Sequence, residues 1–389
     1  MTHKIIKTIL VTCCAITSCF AQYDESRDAH IGLIYPLSTN GIRAIDYSNK
    51  MSLHAIAGVS GNEENLCLSG LASFVMQDAN GLIASGFTNA VLGNSKGAQL
   101  AGFVNFTRGN ITGFQGAGFT NITLQHVHGV QAAEFLNISG SVNGLQGAGF
   151  GNITTQNVNG AQLGGFMNIS KTVTGFQGAG FMNISTDVKG VQIAGFMNKS
   201  KDVNSQAAGF LNIAKEVKGV QLSGFMNIAD SSDYPIGLVN IIRKGDKAIG
   251  VTVDQNLTSI IGFRSGGKVL YGIVGVGSNL KNYDDPLLAI EMGLGAHLNI
   301  TKHFRINTEA VFSTVSDLYD GADVSTSVRL LPALRFGAIE IFGGPTFNYF
   351  AVTNNYNNSV IDSYAWGKHE YGDFYGAQFG AIGGIQFHF

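Results

Sequence analysis

Hydrophobic and polar positions after residue 60 recur in a fixed order. Aligning the aromatic of each Gly-Phe-x-Asn string gives Phe87, Phe103, Phe119, Phe135, Phe150, Phe166, Phe181, Phe196, Phe210 and Phe225, in steps of 14 to 16 residues. A degenerate copy precedes them at Gly70-Leu71-Ala72-Ser73 and another follows at Gly237-Leu238-Val239-Asn240, for about twelve repeats. The clearest repeat reads Gly190-Val191-Gln192-Ile193-Ala194-Gly195-Phe196-Met197-Asn198, then the polar turn Lys199-Ser200-Lys201-Asp202-Val203. β-branched and aromatic residues punctuated by Gly, Asn and Asp predict one strand and one turn per repeat. A helix is excluded, since each Gly in it would cost about 1 kcal/mol.

Strand alternation divides the repeat into two faces. Val191, Ile193, Gly195 and Met197 make an apolar one; Gln192, Ala194, Phe196 and Asn198 make the other. The residue after Gln alternates in size, as Leu100, Gly116, Ala132, Gly147, Leu163, Gly178 and Ile193. A two-repeat period suits neighbouring strands that run in opposite directions, and predicts an antiparallel wall. The alternative is a β-solenoid, in which Gln and Asn stack as amide ladders.

From Gly245 the repeat stops and longer strands are predicted at 248–255, 259–264, 269–277, 288–300, 304–315, 326–336, 340–351 and 375–389. In the last, Phe379, Ala381, Gly383, Ile385, Phe387 and Phe389 share a face. An alternating final strand that ends on an aromatic is similar to the signal read by the outer-membrane barrel-assembly machinery. The long polar segments 316–323 and 353–372 alternate with the tight turn Thr301-Lys302-His303, as in a transmembrane barrel with long outer loops and short inner turns. Before the repeats, 30–37 and 51–58 read as a strand pair around the loop 38–50.

The chain opens with Lys4 and Lys7, an apolar run from Ile9 to Phe20, and small residues at Ser18-Cys19-Phe20-Ala21. This predicts a signal peptide cut after Ala21; Ile16-Thr17-Ser18-Cys19 offers lipidation of Cys19 as the alternative. Cys13, Cys14 and Cys19 lie in this leader, so cleavage leaves Cys67 alone and no intrachain disulfide. The expected organisation is a leader at 1–21, a strand pair at 22–62, the repeats at 63–244 and barrel strands at 245–389.

Composition narrows the picture further. Gly is 52 of 389 residues, Pro 5, and charged residues 13%, which suits a β-protein with tight turns. Formal charge moves from −2 to −4 once Lys4 and Lys7 leave, so no basic face points to nucleic acid. The predicted fold is an all-β, antiparallel outer-membrane barrel. The repeats either continue its wall, giving about twenty-two strands, or form a solenoid attached to a smaller C-terminal barrel.

The repeated Gly-x-Gln-x-x-Gly-Phe-x-Asn resembles the bacterial surface-repeat family. So do the opening Tyr35-Pro36-Leu37-Ser38-Thr39-Asn40-Gly41 and the exit Pro235-Ile236-Gly237-Leu238-Val239-Asn240-Ile241-Ile242-Arg243-Lys244-Gly245. The resemblance implies surface or outer-membrane placement and brings no activity or ligand. Two copies depart from it: Glu134 replaces the usual Gly, and at Asn204-Ser205-Gln206 the turn is one residue short.

Chemistry-bearing residues are sparse. His126 and His128 share a strand face without a Cys or carboxylate at ligand spacing. Asp284-Asp285-Pro286 reads as loop. Glu291, Glu309 and Glu340 fall on predicted strands, would face a barrel lumen and could tune ion passage, but have no His or Ser partner in a recognisable motif. Gly293-x-Gly295 lacks the third Gly of a nucleotide loop. Lone Trp366 reads as an exposed loop residue. The Asn-x-Ser/Thr strings are a by-product of the repeat. No catalytic, cofactor or metal residue is expected. The expected function is a non-enzymatic surface protein with a structural or adhesive role; a porin-like channel is the alternative, and a barrel-borne hydrolase lacks its cluster. Expected partners are outer-membrane lipid and the assembly machinery, with the ligand open.

Overall fold

The computed structural model describes residues 25–281, 287–318, 321–353, 359–361, 363–370 and 373–389. The leader read at 1–21, with Cys13, Cys14 and Cys19, and the Asp284-Asp285-Pro286 loop lie outside them. The chain forms two compact units, 1–129 and 130–389. Both carry coils of a parallel β-solenoid, about thirteen turns in all, and the second ends in a closed eight-strand antiparallel barrel.

The antiparallel wall expected for the repeats is overturned. In the first unit Ala79–Ser85, Ser95–Ala101 and Ile111–Ala117 pair in parallel, Gln99 opposite Gln115. Ala72–Val75, Thr88–Val91 and Val104–Thr107 do the same, Asn89 opposite Asn105. The early strand pair is coil and not barrel wall, since His30–Ile34 runs parallel to Tyr47–Ser60. In the second unit Thr172–Ala179 pairs in parallel with Asp187–Ala194, and Met182–Ile184 with Met197–Lys199. Parallel neighbours need a crossover; here a short strand and two corners bring each long strand round beside the previous one.

The nine-residue strand read from the sequence is therefore two strands and a corner. Alternation is suspended at the corner, where Gly195, Phe196 and Met197 all face outward between the inward Ala194 and Asn198. Val188, Gln192, Ala194 and Asn198 point inside, while Val191, Ile193 and Phe196 stand outside. Phe196 thus leaves the face it was assigned with Gln and Asn and joins the apolar exterior.

Two glycine columns make this winding possible. Gly175 has φ 131°, a conformation that side chains rarely adopt, and a Cβ there would collide with the carbonyl oxygen of Gly160. At the corner, a Cβ on Gly180 would meet the carbonyl oxygen of Gly165. The short repeat is accommodated at the first of these columns and not in the turn: the register shifts between Val188 and Val191, so that Ser205 lies opposite Val191.

The two-repeat period has a different cause from the one expected. Leu163 lies opposite Gly178, and Ala161 opposite Phe176. A Cβ at Gly178 would press on the Phe176 ring and on Leu163. Large and small outward residues thus exchange places in successive coils, because parallel strands about 4.8 Å apart cannot stack large side chains in both columns. The same exchange occurs at Ala98/Leu100 and Phe114/Gly116.

In the second unit eight strands close the barrel: Asp246–Asp254, Thr258–Gly266, Leu270–Asn279, Leu288–Asn299, Phe304–Ser316, Ala322–Phe336, Ile339–Val352 and Asp373–His388, the last pairing back onto the first. Short turns at 267–269, 300–303 and 337–338 mark one end; the other carries the turn 255–257 and the longer connections 280–287, 317–321 and 353–372. Trp366, expected in a loop, begins a ninth strand, Trp366–Glu370, that pairs with the start of the closing strand, and remains half exposed. Among the described residues no helix is long and apolar enough to cross a membrane, which leaves strands that cross unaddressed.

Candidate functional site

Polar side chains are buried inside both parts of the molecule, and the chemistry follows from how they are paired. In the coils each Gln Nε2 donates to the Gln Oε1 of the preceding coil, as Gln192 to Gln177 (2.8 Å) and Gln177 to Gln162 (2.9 Å). Each Asn Nδ2 donates instead to the Asn Oδ1 of the following coil, as Asn183 to Asn198 and Asn168 to Asn183 (both 2.9 Å). The two ladders point opposite ways, so their amide dipoles cancel where a single ladder would sum. Ser185 Oγ donates across to Gln177 Oε1 (2.9 Å), and Asn183 Nδ2 reaches the Gln177 carbonyl (3.3 Å), which ties one ladder to the other. Asn183, Asn168 and their counterparts are fully buried, which removes the Asn-x-Ser/Thr strings that begin at ladder positions from solvent.

The ladders end where the sequence changes. Gln99 Nε2 has no acceptor, because Ile83 occupies the position before it. Gln221 Oε1 has no donor, because Pro235 follows. Asn240, the last Asn, turns its Nδ2 to the carbonyls of Gly237 (2.8 Å) and Ser265 (3.2 Å).

In the first coils several inward positions hold titratable groups. His30 and His54 meet edge to face, with His54 Nε2 3.3 Å from His30 Nδ1; His54 Nδ1 contacts Ser69 Oγ (3.1 Å) and His30 Nε2 contacts Ser38 Oγ (2.9 Å). Ser73 Oγ donates to Ser69 Oγ (2.8 Å), and Cys67 Sγ lies 3.5 Å from Ser73 Oγ. Glu63, fully buried, accepts from Ser52 Oγ (2.7 Å). Burial pushes Glu63 up to about 7, pulls His54 down to about 4, and pushes the Cys67 thiol up to about 12. A buried neutral thiol is a poor nucleophile, and Ser69 beside His54 is equally enclosed. The cluster is a hydrogen-bonded cap on the coil interior.

Glu63 gives the cap a pH dependence. A carboxyl raised from 4.5 to about 7 contributes stability that is complete below pH 4.5 and lost as pH rises through 7. That loss is about 3 kcal/mol. Glu63→Gln should therefore match the wild type in urea unfolding at pH 4.5 and exceed it by about that amount at pH 8. A difference between the two proteins that does not vary with pH would refute this. His54, shifted the other way, is present in both and cancels in the comparison.

The barrel interior is packed with ion pairs. Glu291, Glu309 and Glu340, read as lumen residues, all point inside and are at most 3% exposed. Each meets arginines that sequence reading did not single out. Arg264 Nε donates to Glu309 (2.9 Å), Arg329 joins Glu309 (3.5 Å) to Glu291 (2.9 Å), and Arg305 bonds Glu340 (2.6 Å) and Asp246 (3.0 Å). His388 Nδ1 lies 2.8 Å from Asp246. The signal available was that these residues sit on the inward parity of their strands; of the Glu–Arg pairs, only Glu309 and Arg329 lie on neighbouring strands, directly opposite one another. Gly293 and Gly295 face inward too: a Cβ at Gly295 would strike the Tyr271 ring, whose hydroxyl donates to Glu309 (2.9 Å). Towards the long-loop end a cavity of about 50 Å³ is lined by Asp254, Asp323, Arg329 and Gln378 and roofed by Val360, room for a few waters.

The outside is apolar. Phe87, Phe103 and Phe119 stack in the first unit at 4.7–4.9 Å, and seven rings from Phe135 to Phe225 stack in the second at 4.8–5.1 Å. His126 and His128, 6.2 Å apart, are exposed at the opposite, polar corner. No family model matches the chain, and no curated protein or solved structure matches it.

Proposed function

We propose that the chain is a non-enzymatic protein of the bacterial outer membrane with a structural or adhesive role, akin to the surface-repeat family, inserted through its C-terminal barrel. The observation that carries this reading is the barrel's inverted polarity. Charged residues are buried and paired inside, whereas Ile261, Val276, Val328 and Phe379 stand outside at 53–74% exposure. Water outside would oppose that arrangement; an acyl-chain environment favours it, and a closed hydrogen-bonded wall leaves no free edge in it. The filled lumen favours a structural role over a channel. Eight strands enclose a space that side chains can fill, and here the Arg264–Glu309 and Arg329–Glu291 pairs do so.

The test is the gel mobility of boiled against unboiled protein in detergent. The unboiled chain should migrate as a compact band that converts on heating. Equal mobility, with circular dichroism already lost in cold detergent, would refute the membrane barrel.

A further inference from the structure

We infer that the coils of the second unit form a second lipid-contacting surface: their phenylalanine edge lies in the acyl-chain boundary of the leaflet at the barrel's short-turn end. The inference rests on the membrane reading of the barrel. The rings from Phe135 to Phe225 are stacked almost parallel, 2–16° between neighbours, so each ring covers the face of the next. Only ring edges point outward. A sugar or nucleobase that stacks on aromatics needs a ring face, and this column offers none along its length. An apolar medium needs only edges.

The surface wraps three sides. Beside the rings, Leu163, Ile193 and Leu222 stand out from the long strands at 45–46% exposure, and the Met and Ile of the short strands are half-buried on the other flank. Charged side chains gather at the far corner, as Lys171, Lys201, Asp202, Lys215 and Glu216, and near the start of the long strands, as Lys189 and Lys218; Glu134 beside the rings and Lys199 on the Met and Ile flank are exceptions. A second copy of the chain would cover one flank and leave the others wet, whereas a bilayer boundary meets an edge and both flanks together. The corner backbone is also fit for lipid, because its amides are paired: Phe196 and Met197 N–H both donate to the carbonyl of Phe181 (3.0 Å).

The column also leads onto the barrel's outer wall. Asn240 N–H donates to Ser265 Oγ (3.0 Å), and a Cβ at Gly272 would strike the carbonyl of Leu238. Ser265 and Gly272 follow the inward Arg264 and Tyr271, so both face outward. Leu238 occupies the corner position held elsewhere by Phe. Directly along the same strands lies an apolar groove lined by Ile261, Phe263, Val274 and Val276. Ring edges and groove thus form one apolar surface, with the coils set roughly 5–10 Å into the headgroup boundary, the depth of interfacial elements.

The test uses the full chain with Trp366→Phe, reconstituted in phosphatidylethanolamine–phosphatidylglycerol vesicles with brominated acyl chains. Single tryptophans are placed by Phe196→Trp, Lys201→Trp and, on the barrel wall, Val276→Trp. Ile193→Trp repeats the reading should the ring stack reject an indole. Emission at 276 and at 196 or 193 should fall below half, while that at 201 should resist bromolipid and yield to iodide. Quenching at 276 without quenching at 196 and 193 would overturn this inference alone. Absence of quenching at 276 as well would overturn the membrane reading and this inference with it. Shielding of 196 and 193 from both quenchers, with cross-linking between copies, would make the edge a self-association surface instead.

Discussion

Arginine at position 194 should abolish the folded coils, and arginine one residue earlier should leave them standing. Ala194 is buried at the narrow end of the coil, opposite Ala179 and Ala208 in the flanking coils. Beside that column each Asn reaches the backbone, as Asn198 Nδ2 does to the carbonyl of Ala207 (2.7 Å). A guanidinium has neither room nor a carboxylate there, and an unpaired buried charge adds to the overpacking. The expected loss exceeds about 4 kcal/mol, in the exceptional range for a point change. Ile193 points outward at 46% exposure, so Ile193→Arg in detergent should cost no more than about 1 kcal/mol. Circular dichroism and limited proteolysis of the two full-length variants in detergent decide it. A folded Ala194→Arg protein beside an unfolded Ile193→Arg protein would mean that the faces are the reverse of those described.

The second large effect belongs to the barrel interior. Glu309 receives Arg264, Arg329 and the Tyr271 hydroxyl, all buried. Glu309→Leu strands Arg264 in the lumen and leaves Arg329 with Glu291 alone, at an expected cost of about 3–5 kcal/mol in urea unfolding. Removing the arginine as well, in the double variant Arg264→Met/Glu309→Leu, should recover most of that loss, because Arg329 keeps its 2.9 Å contact with Glu291. The recovery is the diagnostic: a desolvated pair makes either partner harmful alone and dispensable together. Two single-site losses that simply add would mean that the side chains act independently and that the lumen is hydrated.

These effects mark the boundary between what was legible in the chain and what was not. The strands of the C-terminal barrel were legible, although a separate small barrel was only the alternative to a wall of about twenty-two strands. Its strands alternate cleanly, Phe379 to Phe389 share one face, and the turn at 300–303 and the connection at 353–372 differ in length as a barrel requires. The glutamates could be placed inside by parity, but their arginines were not paired with them, since partners on strands up to 45 residues apart meet only when the sheet closes. In the repeats, Gln and Asn were readable as possible ladders, and the direction of each ladder was not.

Length of repeat, glycine spacing and side-chain order are local properties and were readable in the chain: a strand-forming stretch in each repeat, without the corner that divides it in two, a face marked by Gln and Asn, and a separate run of longer strands after Gly245. The direction in which neighbouring repeats run is not local. The same alternation serves a hairpin and a coil, and the Leu163/Gly178 exchange fits either until it is known which residues lie opposite. Tertiary structure decided that question through two contacts between coils. At Gly175 and Gly180 the carbonyl of the preceding coil occupies the place of a Cβ, and the amides of Gln177 and Asn183 find identical partners only when successive coils run parallel and in register.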